Sequence, residues 1–371
     1  MRDGNVCIIG AGHGGSAMAA HLALMDFKVN LWNRTPEHLE PVRQSGGIDL
    51  MVPEGSNLPR GTAELDCVTS DMAEALAGAK LVMVVVPATA HKDIARACAE
   101  HLTDGQVVVL NPGRTGGALE FRRILNECGC RANIVLAETQ TFIYAARVVG
   151  PAQARIFGVK NSIPVAALPA YETPAVVKAL RQAFPQFVPG DTVLKTGLEN
   201  VAILFHPTVM IANAGRIEDQ PQGFEYYLEG ITPSVAHLLE ELDKERIHVA
   251  EAVGIRAMPV RTWLYVAYDA AGRDLYEAIR SNATYKGIMA PSSLHHRYLL
   301  EDVPTSLIPM SSLGDQFGVE TPVMKGLVEV ASRLLGIDFW AEGRTVEDMG
   351  VAGLNVKQIR RLVTEGVAGD P

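Results

Sequence analysis

A chain of 371 residues exceeds what a single core holds and asks for roughly two domains. Hydrophobic residues make up 48% and charged residues 20%, the balance of a globular protein, not a disordered or fibrous one. A formal charge of −9 and a pI near 5.6 argue against nucleic acid or an anionic membrane as the main partner, since both select a basic face, and leave a small molecule.

From Asn5 to about Ala137, short β-branched runs alternate with helical stretches. Val6–Ile9 precedes a helix through Met18–Met25, and then come Lys28–Trp32, Leu81–Pro87, Val107–Leu110 and Ile134–Ala137. Near-continuous Val/Ile/Leu runs separated by helices predict a parallel sheet buried on both faces. Ile163–Leu168 and Phe187–Leu194, set around a helix at Ala175–Phe184, extend that sheet to about residue 195. Beyond Thr196 the apolar period becomes 3.6: in Pro233–Val253, Val235, Leu238, Leu239, Leu242, Ile247 and Val249 alternate with Glu240, Glu241, Asp243, Lys244 and Glu245. The expected organisation is a Rossmann-type doubly wound domain over residues 1–195 followed by a helical domain over 196–371.

Five cysteines (Cys7, Cys67, Cys98, Cys128 and Cys130) are odd in number, with no CxxC pair and no His at ligand spacing, so a reducing compartment and no metal are expected. The N-terminus enters a strand pattern without a signal peptide, and no apolar run reaches the length of a membrane span, which points to the cytoplasm.

Gly10-Ala11-Gly12-His13-Gly14-Gly15 fits GxGxxG between the first strand and the first helix. There Gly10 permits the tight turn, Gly12 lets the backbone approach a pyrophosphate, and Gly15 lets helix and strand pack closely. The phosphates would lie at the N-terminus of the helix that follows, with His13, inside the motif, on the cofactor side. The second strand ends in Trp32-Asn33-Arg34-Thr35, without the acid that usually holds the ribose hydroxyls in an NAD enzyme. Arg34 could pair with a 2′-phosphate, and Asn33 and Thr35 could donate hydrogen bonds. NADP(H) is therefore favoured, with NAD(H) and a merely solvated Arg34 as the alternative. Val86-Pro87 and Asn111, at the ends of two further strands, should border the nicotinamide half. Arg114 reads equally as an anion contact or as a surface residue.

A nicotinamide enzyme without zinc ligands, flavin signatures or an activated cysteine needs a proton donor, usually histidine. Of ten histidines, His206 differs: it ends the apolar run Val201–Phe205 and precedes Pro207, which predicts a buried or half-buried side chain at a break in a helix. Position alone leaves a satisfied core histidine as the simpler account.

Longer stretches carry a resemblance. Asn200–Pro207, Asn213–Glu218, Phe224–Pro233 and His296–Pro304, together with Gly10–Gly15, Asn111–Leu119, Ala137-Glu138-Thr139 and Tyr144-Ala145, resemble the opine dehydrogenases of the octopine/nopaline type over roughly residues 5 to 337. The resemblance implies an oxidoreductase acting on CH–NH bonds, which reduces the imine formed between an amino acid and an α-keto acid. It implies His206 and Asp302 as the acid–base dyad and Arg297, five residues before Asp302, as a carboxylate clamp. Thr139 and Tyr144 would contact substrate, although Thr139 could instead cap a following helix. Lys286 reads as solvent-facing. Arg297 and Asp302, taken alone, would also fit a helix-capping salt bridge. The competing functions are a 2-keto acid reductase of the same architecture and a dinucleotide-binding regulator without turnover. The amine, the keto acid and the oligomeric state stay undefined, which leaves a homodimer open.

Overall fold

The computed structural model describes residues 5–220 and 222–368. Among them the strands are β1 (Asn5–Ile9), β2 (Val29–Trp32), β3 (Ile48–Met51), β4 (Gly61–Ala63), β5 (Cys67–Thr69), β6 (Ala79–Val84), β7 (Val107–Leu110), β8 (Val135–Thr139), β9 (Tyr144–Gly150), β10 (Gln153–Val159), β11 (Ile163–Leu168) and β12 (Phe187–Pro189). Eight of them form one sheet in the order β12-β11-β8-β7-β6-β1-β2-β5. It is parallel except that β11 runs antiparallel to β8. Ile8, Ile9, Leu31, Val82, Val84, Val108 and Leu110 are fully covered, as strands with helices on both faces require. The chain order reverses between β6 and β1, so the loops after β1, β2, β6 and β7 gather at one edge of the sheet, where open α/β sheets bind their ligands.

Three expectations shift. The first helix is His13–Ala23, starting at the glycine loop and not at Met18, because Gly14, Gly15 and Ser16 lie within it despite their poor apolar signal. The strand expected over Phe187–Leu194 stops at Pro189, and Val193–Leu198 is helical. The helix expected over Ala175–Phe184 lies at Thr173–Leu180, with Pro174 in its first turn. A second sheet, in the order β4-β3-β10-β9, was not anticipated. Its strands are short or half-exposed and carry little apolar signal.

The chain divides into two compact units after Gly197, with Leu198–Ile359 forming the second. The second domain expected over 196–371 starts two residues later and ends at Ile359, and residues 360–368 group with the first unit. A Cβ on Gly366 would lie 3.6 Å from the ring of Pro169, so this end packs on the first unit.

The second unit is helical. Its longest helix, Pro233–Ala252, starts from Thr232, whose hydroxyl accepts from Val235 N at 3.4 Å. Leu239, Leu242 and Val249 are buried as the periodicity predicts, yet Asp243, Glu245 and Arg246 are buried beside them. Each is satisfied: Asp243 accepts from Arg246 and from Val260 N, and Glu245 accepts from Val323 N and Met324 N at the start of the helix Pro322–Leu335. A carboxylate on those orphan amides neutralises the positive helix end.

Candidate active site

The first unit builds its ligand edge from backbone. Gly10 sits at φ +112, where a side chain would meet Val85 O at 2.4 Å. Gly15 packs so closely under the turn that a Cβ would stand 1.7 Å from Gly10 O. At Gly12 a Cβ would meet no protein atom within 4 Å, so packing alone does not require that glycine. A pyrophosphate lying against the backbone there would. Gly12 caps the helix His13–Ala23, whose first turn carries no acid, and the amides at that end suit an anion. The residues present thus fit a dinucleotide. His13 opens the helix, and its Nδ1 accepts from Val148 N at 3.0 Å, which places the ring proton on Nε2. Beside this loop lies a pocket of about 460 Å³ bordered by Gly12, His13, Glu37, His38 and Val148.

At the end of β2, Asn33 is otherwise employed than expected. Its Oδ1 accepts from Ala11 N at 3.1 Å and its Nδ2 donates to Thr35 O at 3.0 Å, so it ties the glycine loop to the β2 turn. Arg34 projects into solvent, 75% exposed, with Nη1 3.6 Å from Asp93 Oδ2. Val86 is half-buried and Pro87 exposed just after β6, whose end is locked to β1 by Val85 N donating to Ile9 O at 2.8 Å. Asn111 is buried after β7. Its Nδ2 donates to Val109 O at 2.9 Å, while Oδ1 has no partner among the described residues. A buried orphan acceptor is costly unless something donates to it, and a carboxamide N–H would.

Three other residues of this unit depart from expectation. Arg114 is buried at φ +60 and is no surface arginine. Thr139 closes β8 and is buried, its hydroxyl 3.4 Å from Leu110 O; a strand follows it, so it caps no helix. Tyr144 is a core residue: its hydroxyl lies 2.5 Å from His21 Nδ1, its ring packs against Phe142 and Phe184, and burial pushes the phenol well above its usual range.

The second unit brings its chemistry together from side chains. His206 lies within the unbroken helix Ala202–Ala212, which runs through Pro207, so the expected helix break does not exist. Its ring is half-buried, and Nδ1 is 2.8 Å from Oδ2 of Asp302, which is fully buried. Asp302 stands at the head of the π-turn Val303–Leu307. The bond to the carboxylate orients the ring through Nδ1 and leaves Nε2 on its opposite edge. Arg297 opens the short helix Arg297–Leu300 and is 57% exposed. It pairs not with Asp302 but with Glu301, at 2.9 Å. Lys286 is exposed, as expected.

Two tyrosines escaped the sequence reading. Tyr298 stacks on the imidazole of His206, with centroids 3.8 Å apart and planes 16° from parallel. Tyr226 is buried and donates its hydroxyl to His206 O at 2.6 Å. Burial, reinforced by Tyr227, Tyr298 and Asp302, holds that phenol well above its usual range, so it remains a donor. The only hint was the tyrosines themselves, in Phe224–Tyr227 and beside Arg297. Among the described residues, no cluster of His, Cys, Asp and Glu could hold a metal and no helix is long and apolar enough to cross a membrane.

Comparison with known proteins follows the same two-part division. Residues 189–335 match the family described as NAD/NADP octopine/nopaline dehydrogenase, alpha-helical domain. Residues 5–114 match the N-terminus of NAD-dependent glycerol-3-phosphate dehydrogenase. An opine dehydrogenase from Arthrobacter sp. is 38% identical over 356 residues, 96% of this chain and 98% of that protein. A vitopine synthase from Allorhizobium ampelinum is 24% identical over 95% and 97% of the two chains. A solved octopine dehydrogenase with NADH and L-arginine superposes with a TM-score of 0.81 at 21% identity, covering 97% and 98%, a likeness of fold.

Proposed function

The chain belongs to the opine dehydrogenase family, and from that premise we propose that His206 is the acid of its reaction. The reaction is the reductive condensation of an amino acid with an α-keto acid. The amine displaces the carbonyl oxygen as water, and the resulting imine is reduced to a secondary amine. A nicotinamide held by the first unit would supply the hydride. As hydride arrives at the imine carbon, the C=N electron pair moves to nitrogen, which must take a proton. Nε2 of His206 provides it. Asp302, bonded to Nδ1, fixes the tautomer and stabilises the imidazolium before transfer. Arg297 offers a guanidinium fork to the keto-acid carboxylate, while Glu301 orients it from the buried side. Thr139, at the carboxyl end of β8, is retained as a substrate-side residue.

A bound dinucleotide would be held at the carboxyl ends of the parallel strands: Gly10, Gly12 and Gly15 would take its pyrophosphate at the head of the helix that His13 opens, Asn33 and Thr35 would shape the turn beside its ribose, and Val86, Pro87 and Asn111 would border its nicotinamide. Arg34, exposed and with no acid in the β2 turn, favours NADP(H).

The observation that carries the reading is the His206–Asp302 bond, which sets an imidazole that is 16% exposed against a fully buried carboxylate. The test is a matrix of amino acids against pyruvate, glyoxylate, oxaloacetate and 2-oxoglutarate, followed by loss of reduced-nicotinamide absorbance. Oxidation should require both partners and yield a secondary amine by mass spectrometry. Oxidation with a keto acid alone would contradict the imine.

A further inference from the structure

The stack of Tyr298 on His206 has no role in the chemistry described so far. The imidazole hangs on a soft torsion, since the bond from Cβ to an sp² ring has broad minima. The bond from Nδ1 to Asp302 holds one edge of the ring in its plane. A face-parallel contact at 3.8 Å acts on a different coordinate, because it resists tilting of the plane.

It also acts electrostatically. The face of a phenol ring is negative, so it favours imidazolium over imidazole, and imidazolium is the form that donates. Tyr298 is itself held in place. Its ring is tilted against Tyr226 at 5.3 Å and meets the edge of His296 at 4.5 Å, and its backbone N–H donates to His296 Nδ1 at 3.4 Å. One short segment, His296 to Asp302, thus delivers the carboxylate, the arginine and the stacked ring.

We propose that Tyr298 is a positioning residue of the reductive step: its ring face holds the His206 imidazole so that Nε2 points to the imine nitrogen, and it stabilises the protonated form. This rests on the reading of His206 as the acid.

The test compares Tyr298→Phe, which keeps the ring face, with Tyr298→Leu, which removes it, and with Tyr298→Met as a second variant of similar length should Leu prove unstable. Cofactor titration and thermal melting certify the fold of each. An aromatic contact of this kind is worth about tenfold, so Leu and Met should lower kcat by roughly that factor while the KM of both substrates stays within about twofold of wild type. Phe should recover most of the loss. The proposal is overturned if Leu keeps wild-type kcat, if Phe loses as much as Leu, or if the change falls on KM instead of kcat. His206→Asn is measured alongside. If it turns over normally, the acid assignment itself fails; if it is impaired while Tyr298→Leu is not, only the role of Tyr298 fails.

Discussion

In the first unit the ligand edge is made of main chain: a glycine turn, a helix end, and strand termini tied together by backbone hydrogen bonds. In the second unit the candidate site is made of side chains: an imidazole from the helix Ala202–Ala212, a guanidinium, a phenol and a carboxylate from the segment Arg297 to Asp302, and a second phenol from the turn at Tyr226. A backbone site recognises what every reaction of the fold shares, the dinucleotide. A side-chain site carries what is particular to one reaction, and so the two units should respond to mutation differently. Changes in the second should strike turnover and spare the cofactor; changes in the first should strike cofactor choice or stability and spare the acid–base step.

The largest effect should come from Asp302→Asn. The amide fits the same buried space but no longer stabilises imidazolium, and turnover should fall by roughly 10²-fold or more, with the dissociation constant of the reduced cofactor unchanged by fluorescence titration. A matching loss of cofactor affinity would break the division of labour. Next is a pH effect confined to the first unit. Burial lowers His21 from 6.5 to about 4. Between those values the unfolded chain takes up a proton that the folded unit refuses. The contribution is therefore complete above about pH 6.5 and erodes as pH falls through the window, reaching a loss on the order of 3 kcal/mol below it. Urea midpoints across that range should fall less steeply in His21→Gln than in wild type, and parallel profiles would show that His21 is not the source.

Arg34→Ala sharpens the cofactor side. A charge-assisted bond to a 2′-phosphate is worth about 1.5–3 kcal/mol, so the KM for NADPH should rise by roughly ten- to a hundredfold and that for NADH should hardly move. Equal small effects on both would return Arg34 to the role of a solvated loop residue, which its 75% exposure and weak pairing with Asp93 also permit. The smallest effect is expected from Arg297→Lys, which keeps the charge and loses the fork. The keto-acid KM should rise by about tenfold or less, with cofactor affinity intact. A drop in stability at unchanged KM would make the Arg297–Glu301 pair structural.

The same contrast explains what the sequence made legible. Gly10 and Gly15 are required by clashes with atoms a few residues away or on the adjoining strand, so their spacing announces the turn directly. The dyad joins residues 96 apart, which no local pattern encodes, and it was reached only through resemblance to a family. Tyr298 and Tyr226 were missed because a tyrosine that stacks on a histidine reads like any half-buried aromatic. The burial of Tyr144, with its hydroxyl 2.5 Å from His21 Nδ1, was equally invisible, because the two lie 123 residues apart. Asp243 and Glu245 fall among the polar positions of their helix yet are buried, because periodicity cannot see the backbone amides of neighbouring helices that satisfy them.

The most direct measurement is His206→Asn, assayed for single-turnover reduction of the imine and, in the same preparation, for affinity toward the reduced cofactor. The account predicts a fall in the reduction rate of about 10²–10⁴-fold with affinity for the cofactor preserved. A folded His206→Asn enzyme that reduces the imine at close to the wild-type rate would contradict it.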